Sequence, residues 1–104
     1  MVKQTTISRL EKEVDFLDRH LEVLLLVWQF EPIGIIELST RTGLPHHKVR
    51  YSLRVLEEEE LIEPCSAGAT TTNRAEEFVE TVNNELTAVI DELRDMKISE
   101  LEEL

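Results

Sequence analysis

The tetrapeptide Thr42-Gly43-Leu44-Pro45 constrains this chain more than any other stretch of it. Glycine enters the left-handed conformation without steric cost, and helices commonly end on it. Proline two residues later lacks an N–H, so it suits the first turn of a new helix and not the middle of one. The four residues therefore stop one helix and start another within a single tight turn. Upstream, Glu31-Pro32 ends an earlier helix for the same reason. Ile33 to Thr42 is then a short second helix, with Ile35, Ile36 and Leu38 supplying core contacts. The third helix spans Pro45 to Glu58. At roughly 100° per residue, Val49, Leu53 and Leu56 share its inner face, with Ser52 at the edge. His47, Arg50, Tyr51 and Arg54 follow i, i+3, i+4, i+7 spacing and lie almost opposite.

Longer helices are predicted on both sides. After a frayed start over residues 1–6, Ser8 with Glu11 matches a capping box, each side chain satisfying a free backbone N–H. Ile7, Leu10, Val14, Leu17, Leu21, Leu24 and Trp28 recur at spacings that alternate 3 and 4, a heptad seam. From Phe16 onward Val23, Leu25, Leu26, Val27 and Phe30 add a second apolar face. The first half reads as an arm and the second as core, with Asp15 to Asp18 as the place for a break. Beyond the third helix, Leu61 to Cys65 reads as a strand, Ser66-Ala67-Gly68 as a turn and Ala69 to Thr72 as the returning strand. Pro64 suits only an edge, and Cys65 is expected to face inward. Asn73 with Glu76 forms a second capping pair. A last helix carries Val79, Val82, Leu86, Val89, Leu93 and Met96, again alternating 3 and 4. Ile98, Leu101 and Leu104 fall in another register.

Charge decides what the third helix does. The chain holds 22 acidic residues against 11 Lys plus Arg, a net charge of −11. Phosphate-binding proteins are ordinarily basic, so the total argues against nucleic acid. The distribution reverses that. The 19 residues from Leu38 to Leu56 contain no acid, while Arg41, Lys48, Arg50 and Arg54 give them +4. The other 85 residues carry −15. A cationic strip is kept clear inside an acidic shell. Arginine pairs bidentately with guanine edges or phosphate, and a tyrosine or histidine ring adds stacking and hydrogen bonding. Lys48 sits on the flank of the helix. His46 lies near its N-terminal end, where helix N–H groups favour phosphate. Arg41, on the preceding helix, suits backbone contact.

Two short helices around a Gly-Leu-Pro turn, followed by a hairpin, are the parts of a winged helix-turn-helix. The fold expected is mainly α with a small β-hairpin, a winged helix-turn-helix flanked by long N- and C-terminal helices. Residues 1–15 form an arm, 16–78 the DNA-binding domain and 79–104 a dimerising helix. The run IGIIELSTRTGLPHHKVRYSLRVLEEEELIEP resembles winged-helix transcriptional regulators of the broad MarR/ArsR kind, most closely small regulators of halophilic archaea. The likeness rests on the Ile/Leu spacing of the second helix, the Thr42–Pro45 turn, Val49, Leu53, Leu56 and the Leu61-Ile62 pair. It implies that the helix from Pro45 is the recognition helix and that His46, His47, Arg50, Tyr51 and Arg54 meet DNA. Two departures stand out. Glycine is common just before the Leu-Ile pair, where this chain has Glu60. The wing tip, Ser66-Ala67-Gly68, has no cation, which leaves Arg74 as the nearest phosphate contact beyond it.

The function expected is sequence-specific binding of double-stranded DNA by a homodimeric regulator of transcription. Ile7, Leu10, Val14 and Leu17, with Val79, Val82, Leu86, Val89, Leu93 and Met96, are the dimerisation candidates. The alternative is a winged helix used as a protein-interaction module of a transcription complex. No nucleophile–base set or phosphate-cradling glycine loop is legible, so no enzyme and no cofactor are expected. His46 and His47 are adjacent and diverge on a helix, which disfavours a metal site. The longest apolar run, Val23 to Trp28, has six residues, too short for a membrane span. A cytoplasmic protein is expected, and a single cysteine agrees with a reducing compartment.

Overall fold

A computed structural model describes residues 5–97. The order of elements is α1 (Thr6–Phe30), α2 (Ile35–Thr42), α3 (His46–Glu58), β1 (Ile62–Cys65), β2 (Gly68–Thr71) and α4 (Arg74–Asp95). The molecule is mainly helical, with one small antiparallel hairpin. The expectations for residues 1–4 and for Ile98, Leu101 and Leu104 lie outside the described residues.

α1 begins one turn earlier than predicted. Thr5 is its cap: the Ser8 N–H donates to Thr5 Oγ1 (3.1 Å) and the Thr5 N–H to Ser8 Oγ (2.9 Å). Two short hydroxyl side chains three residues apart close the box, so Glu11 is not needed. The helix then runs unbroken through Asp15 to Asp18. Its buried stripe is Val23, Leu24 and Val27, whereas Leu25 and Trp28 face outward. Beyond the cis Glu31–Pro32 peptide the chain does not enter α2 at once. Ile33 first pairs with Ala69, its N–H donating to Ala69 O (3.2 Å) and its carbonyl accepting from Ala69 N (2.9 Å). This bridge, at a residue whose sequence pattern predicts the first turn of a helix, gives β2 a neighbour on each side. The Glu31 carboxylate accepts from the Thr71 N–H (2.8 Å) and hydroxyl (2.9 Å), fastening the end of α1 to the same strand.

α2 buries Leu38 and half-buries Ile35, but Ile36 is 75% exposed and contributes nothing to the core. On so short a helix only one stripe can face inward, and Ile36 lies off it. Gly43 takes the left-handed cap position (φ 75°), its N–H donating to Ser39 O at 2.9 Å. The turn is tied again by side chains. The Thr42 hydroxyl donates to Leu38 O (2.8 Å) and accepts from the Leu44 N–H (3.1 Å), and the Ser39 hydroxyl donates to Leu44 O. Pro45 caps α3 from just outside it.

In the hairpin Ile62 pairs with Thr71, and Cys65 with Gly68. Cys65 is exposed, contrary to expectation. Ile62 is buried, whereas Glu63, Pro64 and Cys65 are all exposed as β1 runs out from the core toward the turn. Gly68 has φ +137°, and a Cβ there would lie 2.3 Å from the Ile33 carbonyl oxygen. Asn73 makes no capping bond; the hydroxyl of Thr72 accepts from the Arg74 N–H instead (3.2 Å).

The core joins the α1 stripe, Ile33, Leu38, Val49, Leu56, Leu61, Ile62, Ala69 and Ala75. α4 enters it only through its first two turns, with Ala75 buried and Phe78 and Val79 packed against it. The rest of α4 and the first half of α1 extend beyond the core. Accordingly the radius of gyration is 17.2 Å, against about 13 Å for a compact chain of this length.

Candidate nucleic-acid interface

α3 is held from two sides, and its packing sets which side chains remain outside. Val49 and Leu56 are fully inside, as expected, but the third buried position is Ser52 (0% exposed) while Leu53 is half-buried. α1 crosses α3 at Ser52, where a small side chain permits close approach. His20 reaches across from α1 and its Nδ1 shares a 2.8 Å hydrogen bond with Ser52 Oγ. A buried hydroxyl thereby finds its partner. Burial first, then the nearby Arg19 charge, holds the His20 pKa below its usual 6.5, with Glu59 opposing.

Around this bond three rings gather. Tyr51 lies edge-on to Phe16, centroids 6.1 Å apart, and 5.7 Å from the His20 ring. The Arg19 guanidinium lies 5.2 Å from the Phe16 ring centre. Tyr51 was expected wholly on the outward face. It is instead shared, one side packed on α1 and 45% of its surface exposed. Sequence reasoning missed Phe16, Arg19 and His20 as neighbours of this face. A signal existed: Phe16 and His20 stand four apart on one side of α1, and a serine interrupts the apolar stripe of α3.

The outward face otherwise stands as the spacing predicted. His46, His47, Arg50 and Arg54 are exposed, and Lys48 is half-buried on the flank. Arg50, Arg54 and Lys48 make no ion pair among the described residues. Pro45 offers no capping side chain, so the N-terminal N–H groups of α3 meet no side-chain acceptor. The first turn of α3 carries no acid either. Helix dipole, free N–H groups and arginines thus combine at one positively polarised end and side.

The two outlying cations are differently placed. Arg41 donates to Glu37 (2.8 Å), and its guanidinium lies 3.7 Å from the centre of the Phe30 ring. Arg74 is paired with Glu60. Both are occupied by neighbours. Glu60 itself sits at φ 62°, a conformation that favours glycine. The departure noted at this position is therefore a real backbone feature. The side chain that replaces hydrogen there holds Arg74.

Among the dimerisation candidates, Ile7, Leu10, Val14, Val89, Leu93 and Met96 are exposed, while Leu17, Val79, Val82 and Leu86 are half-buried. Leu17, Val82, Leu86 and Val89 line one groove of about 330 Å³ between α1, α3 and α4. Among the described residues no three His, Cys, Asp or Glu side chains gather to hold a metal ion. No helix among them is long and apolar enough to cross a membrane. No protein-family model and no curated protein sequence matches the chain.

Proposed function

We propose that the chain is a winged helix-turn-helix protein that binds double-stranded DNA as a homodimer and regulates transcription. The single observation that carries this reading is the outward face of α3. There Arg50 and Arg54 stand exposed and unpaired among the described residues, on a chain of net charge −11. A solvated face in so acidic a protein would be acidic. The arrangement of α2, the Gly43 turn, α3 and the β1–β2 hairpin supports the fold assignment. α3 enters the major groove, Arg50 and Arg54 contact base edges or phosphate, and the N-terminal end of the helix takes a phosphate near His46 and His47. Tyr51 contributes its exposed edge only. Arg41 and Arg74 reach phosphate only by leaving Glu37 and Glu60.

The exposed apolar positions of α1 and α4 support pairing with a second copy, the remedy open to helices whose seams outrun their own core. Two α3 helices then read half-sites about 34–36 Å apart or a multiple of that. In concentrated salt, where charges are screened within about 3 Å at 1 M, affinity rests on close arginine contacts and shape. Replacement of Arg50 and Arg54 by alanine tests the mechanism. Against an operator obtained by in vitro selection, each loss is expected to weaken binding by about 1–3 kcal/mol. Unchanged affinity in a folded double variant removes the assignment.

One observation favours a second reading, a winged helix that docks on protein. The hairpin has no Lys or Arg from Leu61 to Asn73, and Arg41 and Arg74 are already neutralised. On that reading selection yields no preferred DNA sequence, and a partner covers Arg50 and Tyr51.

A further inference from the structure

Between the start of α2, the side of α3 and the hairpin runs an apolar groove of about 700 Å³. That falls among small-molecule sites, which span roughly 300–1,000 Å³. Ile33, Leu53 and Ile62 form its floor and Ile36, Pro64 and Cys65 stand on its rim. Ile36, at 75% exposure, is an isoleucine left facing water beside this trough. The charged side chains in the wall are Glu37 and Glu57, and no cation lines it. Glu37 already holds Arg41, whereas Glu57 makes no ion pair among the described residues.

These features select a chemistry. An anionic amphiphile would bring its charge against two carboxylates. A neutral hydrocarbon would draw water away from Glu57 and give it no partner in return. A molecule with an apolar body and a cationic head satisfies both parts of the wall. We propose that this groove is a binding site for a hydrophobic organic cation. Its apolar portion lies over Ile33, Leu53 and Ile62, and its ammonium group meets Glu57. The site uses none of the outward residues of α3, so it stands or falls separately from the DNA assignment. A ligand seated there touches α2, α3 and the hairpin at once, bridging the three elements whose relative placement fixes the outward face.

Cys65 supplies the readout, being the chain's single cysteine and exposed on the rim. The rate of its reaction with a chromogenic disulfide is followed on the full chain at fixed ionic strength. Three probes of equal chain length are compared: octyltrimethylammonium, 1-octanol and octanoate. The ammonium is expected to protect the thiol at the lowest concentration and octanoate at the highest. Glu57→Gln should raise the half-protecting concentration of the ammonium about two- to fivefold, the span of a solvent-exposed ion pair, and leave that of octanol unchanged. Ile36→Lys, at a position outside the core, should raise it about tenfold or more, through lost apolar contact and added like charge. Equal protection by all three probes, protection by none, or protection indifferent to Ile36→Lys overturns the proposal. So does a thiol protected without any probe and released on dilution, which would mean that a second copy fills the groove. Thermal melts of both variants establish that they are folded, and the wild-type probe series decides the matter if either is not.

Discussion

Gly68→Ala is expected to be among the most damaging one-carbon changes in this chain. The added Cβ would lie 2.3 Å from the oxygen of Ile33, 2.4 Å from its carbonyl carbon and 2.8 Å from the nitrogen of Gly34. All three are backbone atoms, so no side chain can swing aside. The alanine would also have to hold φ near +137°, a region avoided by L-residues. Such a conformation costs about 1–3 kcal/mol. Escape from the clash requires Ile33 to withdraw from Ala69, giving up two hydrogen bonds of about 0.5–1.5 kcal/mol each. The sum is about 2–6 kcal/mol, a large share of the roughly 5–15 kcal/mol that holds a domain together. Gly34→Ala is the matched control. It has φ −101° and nothing within 4 Å of the position its Cβ would take, so its effect should stay within about 1 kcal/mol. Urea titration of both variants against the wild type measures the difference. Equal midpoints for the two alanine variants would show that the Ile33–Ala69 pairing does not hold the hairpin in place.

Other outcomes follow from the same contacts. Ser52→Ala strands His20 Nδ1 and should cost about 1–2 kcal/mol, with less than additive loss in the His20→Leu/Ser52→Ala double variant; strict additivity would show the bond to be idle. Because burial and Arg19 lower the folded-state pKa of His20, the unfolded chain binds that proton more readily. Its contribution to stability is complete above pH about 6.5 and is lost as pH falls from there toward the folded-state value. Melting temperatures of wild type and His20→Asn compared across that window should converge as pH falls, and a constant gap refutes the assignment. Glu60→Gly relieves about 1–2 kcal/mol of left-handed strain, offset by glycine's backbone entropy and by an exposed ion pair worth at most about 1 kcal/mol. Stability should therefore change little, while the freed Arg74 steepens the salt dependence of DNA binding by about one unit. Val89→Glu and Leu93→Glu should leave the chain folded and reduce its scattering mass to the 12.0 kDa of one copy. A wild-type particle of 12.0 kDa in high salt would remove the dimer.

Much of this architecture was legible because it is written in local chemistry. The Gly43 stop, the Pro45 start, the 3-and-4 spacing of α1 and α4 and the turn before Gly68 each act within a few residues, and each appears where that chemistry puts it. What escaped was set by segments distant in sequence. Ile33 reads as the first turn of α2 until Ala69 offers it two hydrogen bonds. Gly68 reads as an ordinary turn residue until Ile33 lies against it. Ser52 reads as the edge of a stripe until His20 arrives from the other side. The caps escaped in part for a smaller reason. Thr5 takes the place read for Ser8. Asn73 does stand at the N-cap of α4, but the Arg74 N–H is met by the Thr72 hydroxyl, a choice between neighbours that sequence ranks poorly. Cys65 escaped because β1 leaves the core after Ile62, so the residues beyond it are exposed whichever side of the strand they take. The exposed arginines of α3 were visible from spacing and charge alone, whereas the pairing of Arg41 and Arg74 needed the fold.

The His20–Ser52 bond ties α1 to α3 within their packed interface, with Phe16 and Tyr51 meeting edge-on just outside it. Mechanically, a tilt of α1 would act on α3 through this bond and the apolar packing around it. Such a tilt would carry α3 and its arginine face with it. In the homodimer proposed above, the distance between the two α3 faces would then depend on how the paired α1 helices cross. On that proposal, lengthening or bending α1 would retune the preferred spacing of two half-sites while leaving the side chains of α3 unchanged.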